Sequence, residues 1–224
     1  RMLQWREKAV DPPGEASEDL WILTQIAKRM GHAWSYSGAG GVLEEIASLT
    51  PSYKGISYAR LEKETLAWPC PSSDHPGTPR LHEGGIARGP GRFHALTHRG
   101  PVESPSREYP FLLTTGRVGA HYHTGTMTRK GIGLTSLYPE ALAEVNTLDA
   151  AGTGISDGDL VRLESPRGSI TAKARVSDRT DEGVVFVPFH FHESPVNALT
   201  GSSLDPEAKI PEYKVTAVKM EKAG

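Results

Sequence analysis

The chain has 224 residues, with 25 Lys and Arg against 27 Asp and Glu, for a formal net charge of −2. At 37 % hydrophobic and 23 % charged it is too apolar for a disordered tail and too polar for a membrane protein. The absence of a basic run argues against a nucleic-acid surface, no apolar run is long enough to insert in a membrane, and the single cysteine, Cys70, excludes a disulfide framework or a four-cysteine metal site within the chain.

The first element in chain order is a helix expected over Ser17 to Met30. Ser17 is placed to cap it, Glu18 and Asp19 put negative charge in its first turn, Lys28 and Arg29 put positive charge in its last, and Gly31 follows as a stop. Leu20, Leu23, Ala27 and Met30, joined by Trp21 and Ile26, recur at helical spacing and make an apolar face that has to pack on something. A second helix is expected from Val42 to Leu49, stopped by Pro51 and paired with the first. From Pro51 to Pro110 only turn chemistry is found, in Trp68-Pro69-Cys70-Pro71, His75-Pro76-Gly77, Gly84-Gly85 and Gly89-Pro90-Gly91. So long an irregular stretch suggests a segment wrapped over a body outside the given sequence.

The second half reads differently. β-type runs at Tyr109–Thr115, Leu160–Glu164, Ser169–Val176, Val184–Phe189 and Tyr213–Met220, separated by Gly, Pro and Asp turns, point to a small barrel or sandwich. The clearest piece is a hairpin through Ser165-Pro166-Arg167-Gly168, whose return strand sets Ile170, Ala172, Ala174 and Val176 on one face and Thr171, Lys173 and Arg175 on the other. A short helix is expected at Thr147–Ala151, and a boundary near residue 105 separates a helical and irregular part from a β-rich one.

The densest polar constellation runs from Thr114 to Lys130. A strand ends there in a loop of threonine hydroxyls, two imidazoles, two arginines, a lysine and several glycines. Hydroxyls, exposed backbone N–H groups and arginine forks are how proteins hold phosphates, although the spacing of a P-loop is missing. A second cluster is Phe189-His190-Phe191-His192-Glu193. With His121 and His123 it gives two His-x-His pairs on expected strands, where residues i and i+2 share a face and could chelate a metal. The alternative for these imidazoles is hydrogen bonding to neighbours or to a ligand. Cys70, between two prolines, reads as a packed residue, and no nucleophile elbow, paired-carboxylate signature or zinc-protease motif occurs.

Glu108-Tyr109-Pro110-Phe111-Leu112-Leu113-Thr114-Thr115-Gly116-Arg117, followed by His121-Tyr122-His123-Thr124-Gly125-Thr126-Met127-Thr128-Arg129, resembles the C-terminal region of molybdenum- or tungsten-dependent formate dehydrogenase catalytic subunits, of the molybdopterin oxidoreductase (DMSO reductase) superfamily. The likeness continues through Ile155–Val161, Gly183–Phe191, Asn197 and Leu204–Lys214, and in the front half through Ala9–Ala16, Ile46–Tyr53 and His75–Pro79. At Asp149-Ala150-Ala151-Gly152-Thr153-Gly154 the sequence departs from the family, which has a better helix former and a leucine where Gly152 and Thr153 stand.

The resemblance implies a mainly β, α+β chain. Residues 105–224 would be a molybdopterin-dinucleotide-binding domain, a double-psi β-barrel, and residues 1–104 the helical, then irregular, tail of a preceding α/β domain. Thr115, Gly116 and Arg117 would line the dinucleotide, and His121, His123, Thr124, Thr126 and Thr128 would donate to pterin and phosphate oxygens. Phe189 or its neighbour His190, with Asn197, Tyr213 and Lys214, would complete the pocket. The cofactor would be bis-molybdopterin guanine dinucleotide with molybdenum or tungsten, and the reaction the oxidation of formate to carbon dioxide. In this family the metal ligand, the formate-orienting arginine and the iron–sulfur cysteines lie upstream, so this chain would bind cofactor and hold no catalytic residue. Its partners would be the N-terminal part of the same catalytic subunit and electron-transfer subunits, in the cytoplasm or the periplasm. The competing reading is a free-standing β-barrel protein that binds metal through its His-x-His pairs.

Overall fold

The computed structural model describes residues 1–86 and 88–223, and the chain divides into two compact units, Arg1–Ala95 and Leu96–Gly224. In the first unit β1 (Met2–Leu3) pairs antiparallel with β2 (Leu66–Ala67). Helix α1 (Asp19–Arg29) begins one residue later than its sequence signals: Glu18 holds the N-cap position, and no side chain caps the helix, so Ser17 lies outside it. Its far end follows the expected chemistry. Gly31 turns left-handed at φ +89°, which allows His32 N–H to reach the Ala27 carbonyl at 2.9 Å and Gly31 N–H the Lys28 carbonyl at 3.1 Å. Among the described residues nothing covers the apolar face: only Thr24 and Ala27 are buried, while Trp21, Leu23, Ile26 and Met30 stay exposed.

Helix α2 (Ala39–Leu49) ends before Pro51, which opens a 3-10 turn, Pro51–Tyr53. Its main neighbours are that turn and the short α3 (Tyr58–Leu61), where α1 was expected. Ile56, Leu61, Leu66 and Cys70 form a small core with Leu3, Trp5, Leu43, Tyr53 and Trp68 packed around it. Cys70 is a packed residue: its thiol lies 3.4 Å from the His75 carbonyl and 3.5 Å from a guanidinium N–H of Arg60.

The second unit holds six strands: β3 (Phe111–Gly116), β4 (Leu142–Val145), β5 (Leu160–Ser165), β6 (Gly168–Val176), β7 (Val184–Pro188) and β8 (Thr216–Lys222). They close into a barrel in the order β3-β7-β4-β6-β5-β8, with β3/β7 and β4/β6 parallel and every other pair antiparallel. This is the double-psi β-barrel that the sequence likeness implied. The β5–β6 hairpin pairs Ser165 with Gly168, so its turn residues are Pro166 and Arg167, and Ile170, Ala172 and Ala174 point into the core. Strand β4 escapes a reading by alternation because all four of its residues are buried. Leu113, Val145, Val161, Leu163, Val185, Val187 and Val218 are fully buried, each contributing about 1.5–3 kcal/mol through the apolar area it removes from water.

Two short helices sit on the connections. Helix α4 (Ile132–Leu137) follows the 114–130 loop. Helix α5 (Thr147–Thr153) forms in spite of Gly152, because the Asn146 side chain accepts from Leu148 N–H at 2.9 Å and Gly154 closes the other end. The start of the unit is tied in by Glu103, whose carboxylate accepts from Ala217 N–H on β8 at 2.7 Å and from Arg167 in the hairpin turn at 3.0 Å.

Candidate functional site

Strand β3 delivers Thr115 to the end of the barrel with 3 % of its surface exposed. Its hydroxyl donates to the Tyr213 carbonyl at 2.8 Å, and its own carbonyl accepts from Lys214 Nζ. These two bonds pull the segment before β8 against the end of β3. Phe189 arrives at the end of β7 and Asn197 on the 3-10 turn Val196–Ala198. Thr115, Arg117, Phe189, Asn197, Tyr213 and Lys214 then line one cavity of about 500 Å³. The Arg117 guanidinium stands 5.9 Å from the centroid of the Phe189 ring, so cationic forks and aromatic walls face the same space.

Gly116 serves a different purpose. A Cβ at this position would lie 2.5 Å from Cε2 of Phe186, so the absent side chain makes room for a neighbouring ring.

The loop after β3 is pinned by two imidazoles. His121, 5 % exposed, donates through Nε2–H to the Tyr138 carbonyl at 2.7 Å, and its Nδ1 accepts from the Thr128 hydroxyl at 3.2 Å. That hydroxyl in turn accepts from Tyr122 N–H at 3.2 Å. His190, 1 % exposed, bridges two main-chain groups: Nε2 accepts from Val118 N–H at 3.0 Å and Nδ1–H donates to the His123 carbonyl. These two partners fix the tautomer of His190, because a main-chain N–H can only donate to Nε2 and a carbonyl can only accept from Nδ1–H. Burial pushes the His190 pKa down, aided by the neighbouring charges of His121, Arg117 and His123 and opposed by the bond to the His123 carbonyl.

Thr124 and Thr126, their hydroxyls 3.4 Å apart, open on a second cavity of about 390 Å³ lined also by Gly125, Arg129, Lys130, Thr135 and His192. Arg129 is doubly bonded to Glu193, once at 2.9 Å, and lies 4.9 Å over the Phe191 ring. This pair joins the loop to the turn after β7. The Arg129 hydrogen bonds hold the Glu193 carboxyl below the usual carboxylate range.

The structure therefore sorts the expected residues into three groups. Six line the first cavity, Thr124 and Thr126 line the second, and His121, Thr128 and His190 hold the loop through bonds within the protein. Gly116 faces Phe186, and His123 is exposed at φ +48° with its carbonyl on His190. Both His-x-His pairs lie on turns rather than the expected strands, because β3 stops at Gly116 and β7 at Pro188. Among the described residues no group of three or more His, Cys, Asp and Glu could hold a metal ion. Arg129, Thr135 and Glu193 were missed as organisers of the loop, and the close sequence position of Arg129 to the threonines was the available signal.

Residues 111–217 match the Molydopterin dinucleotide binding domain family. The chain is 44 % identical to the F420-dependent formate dehydrogenase subunit alpha of Methanocaldococcus jannaschii, over 99 % of this chain and 34 % of that protein. It is 41 % identical to the assimilatory nitrate reductase catalytic subunit of Bacillus subtilis, over 96 % of this chain and 32 % of that one. The fold is that of acetylene hydratase from Pelobacter acetylenicus, with a TM-score of 0.69 at 17 % identity, covering 99 % of this chain and 35 % of that one. The chain spans about a third of the length of these curated relatives.

Proposed function

We propose that this chain, which belongs through its barrel to the Molydopterin dinucleotide binding domain family, closes over the dinucleotide of a formate dehydrogenase. The observation that carries this reading is the convergence on one cavity of six residues from separate segments, 115–117, 189, 197 and 213–214. Their chemistry suits the ligand: Arg117 and Lys214 offer charge to a pyrophosphate, Asn197 offers an amide to a ring edge, and Phe189 and Tyr213 give apolar walls. Thr124 and Thr126 extend the donor set through the second cavity.

When bound, the molybdopterin guanine dinucleotide, with molybdenum or tungsten, supplies the two-electron oxidation of formate to carbon dioxide. This chain's residues bind and orient. Arg117 and Lys214 neutralise phosphate charge, Thr115 holds Lys214 in place, and the two buried imidazoles keep the loop main chain in a single arrangement. The metal ligand, the iron–sulfur cluster and the contacts to electron-transfer subunits belong to the rest of the catalytic subunit. Among the described residues no helix is long and apolar enough to cross a membrane.

The test is made in the complete catalytic subunit. Asn197→Ala with Lys214→Gln should lower the dinucleotide retained on purification, read as released guanine nucleotide and as molybdenum or tungsten per subunit. Unchanged retention refutes the assignment of the cavity. The unsubstituted enzyme should oxidise formate with an artificial acceptor; reduction of nitrate without formate oxidation would refute the substrate and keep the cofactor.

A further inference from the structure

Asn197 reaches the six-residue cavity from the 3-10 turn Val196–Ala198, and its side-chain amide has no hydrogen-bond partner among the described residues. A short side chain without a partner of its own points where its backbone points, so what holds the turn also aims the amide. The turn is held from the β5–β6 hairpin at both ends. Before it, the Ser194 hydroxyl donates to the Thr171 carbonyl on β6 at 2.6 Å. After it, the Leu199 carbonyl accepts twice, from the buried Ser165 hydroxyl at 2.9 Å and from Arg167 Nε–H at 2.8 Å. The two turns also lie against each other, since a Cβ on Gly168 would stand 3.4 Å from the Ala198 carbonyl. Val196 and Leu199 are buried and fix the inner side, so the turn presents Asn197 outward.

Arg167 is itself gripped from behind. Its Nη2 donates to Glu103 at 3.0 Å, and the same carboxylate accepts from Ala217 N–H on β8 at 2.7 Å. The guanidinium therefore spans from a carboxylate anchored on β8 to the carbonyl that ends the Asn197 turn. A planar fork serves two acceptors in fixed directions at once, which an ammonium on a flexible stem does not. Arg167 is not among the residues that line the cavity, and its side chain is only 32 % exposed.

Building on the dinucleotide reading of this cavity, we propose that Arg167 is a positioning residue: it sets the Asn197 amide toward the ligand through the Leu199 carbonyl and touches no ligand itself. Ser165 supports the same carbonyl from the buried side, and Glu103 holds the guanidinium in line.

The test is a mutant cycle in the complete catalytic subunit, read as guanine nucleotide per purified subunit, with thermal unfolding alongside. Asn197→Ala sets how much the amide contributes to retention. Arg167→Met should lower retained nucleotide by about fivefold, the weight of one hydrogen bond. Ser165→Ala, a milder change that removes the other donor to Leu199, should lower it by about twofold and decides the matter if Arg167→Met does not fold. Because both residues act through Asn197, neither substitution should lower retention further in the Asn197→Ala background, whereas a general loosening of the fold would add to it. Wild-type retention in the Arg167 and Ser165 variants, or an additive fall in the double variants, overturns the positioning role while leaving the cavity assigned. Wild-type retention in Asn197→Ala alone refutes the dinucleotide reading of the cavity and the positioning role with it.

Discussion

Replacing His190 by Leu removes the partners that Val118 N–H and the His123 carbonyl have among the described residues. A main-chain group left unpaired costs about 1–3 kcal/mol, so two of them cost about 2–6 kcal/mol. Leu recovers about 1–2 kcal/mol by filling a site only 1 % exposed with an apolar side chain. A net loss of about 2 kcal/mol is expected, a fall in melting temperature of roughly 6–10 °C for a unit of this size. The pH dependence carries a second signature. The native ring must stay neutral to accept from Val118, and its pKa is lowered, whereas in the unfolded chain it takes a proton near the ordinary value of about 6.5. Above that pH the contribution of His190 to stability is fully present. As the pH falls from there toward the lowered native value, the unfolded chain binds more protons and stability drops by at most about 1.4 kcal/mol per pH unit. Urea unfolding of wild type and His190→Leu between about pH 7.5 and pH 5 measures both effects, and the variant should show a shallower slope. A loss below about 0.5 kcal/mol at the upper pH, or an unchanged slope, would refute the bridging role.

Gly116→Ala places a Cβ 2.5 Å from Phe186 and should cost about 1–3 kcal/mol, with Phe186→Leu restoring part of the loss; a double-mutant cycle without coupling would contradict the contact. Glu103→Ala strips the acceptor from Ala217 N–H, whose residue is 4 % exposed, and should cost about 2 kcal/mol and speed hydrogen exchange of that amide. Glu193→Gln weakens a half-exposed pair with Arg129, so at neutral pH it should cost at most about 1 kcal/mol. Because the native Glu193 pKa is lowered, the wild-type contribution is present above the unfolded value of about 4.3 and lost as pH falls through the native one; Glu193→Gln should abolish that part of the acid limb seen in unfolding curves.

What could be read from the residues depended on whether the information was local. The β5–β6 hairpin alternates strictly because one of its faces is solvated, and its register follows from a two-residue turn. Strand β4, buried on both faces, carries no alternation, and its pairing with β6 and β7 is entirely non-local. Helix α1 announces its ends through charges and Gly31, yet its apolar stripe says only that it is amphipathic and not what would cover it. The six cavity residues were named through family likeness. Nothing in their own spacing brings position 115 to position 213, which meet because β8 closes the barrel by pairing antiparallel beside β3.

The histidines show why residue type and spacing underdetermine chemistry. A His-x-His pair chelates only if two ring nitrogens on one face remain free. Here each turn places one imidazole of its pair, His121 or His190, in the interior, where both of its nitrogens already face protein partners. A metal ion on His121 Nδ1 would have to displace the Thr128 hydroxyl, and one on His190 would have to displace Val118 N–H or the His123 carbonyl and leave that group unpaired, at about 1–3 kcal/mol. The same bonds that disfavour a metal hold the main chain from Val118 to Thr128 in register with the end of β7. Phosphate-binding loops need that rigidity, because backbone N–H groups and short hydroxyls have almost no reach of their own and must be held where the ligand will be. His190 supplies it by bridging two main-chain groups with a lowered pKa, and His121 by tying the Thr128 hydroxyl to the Tyr138 carbonyl, so the cationic character of the site stays with Arg117 and Lys214, which line the cavity.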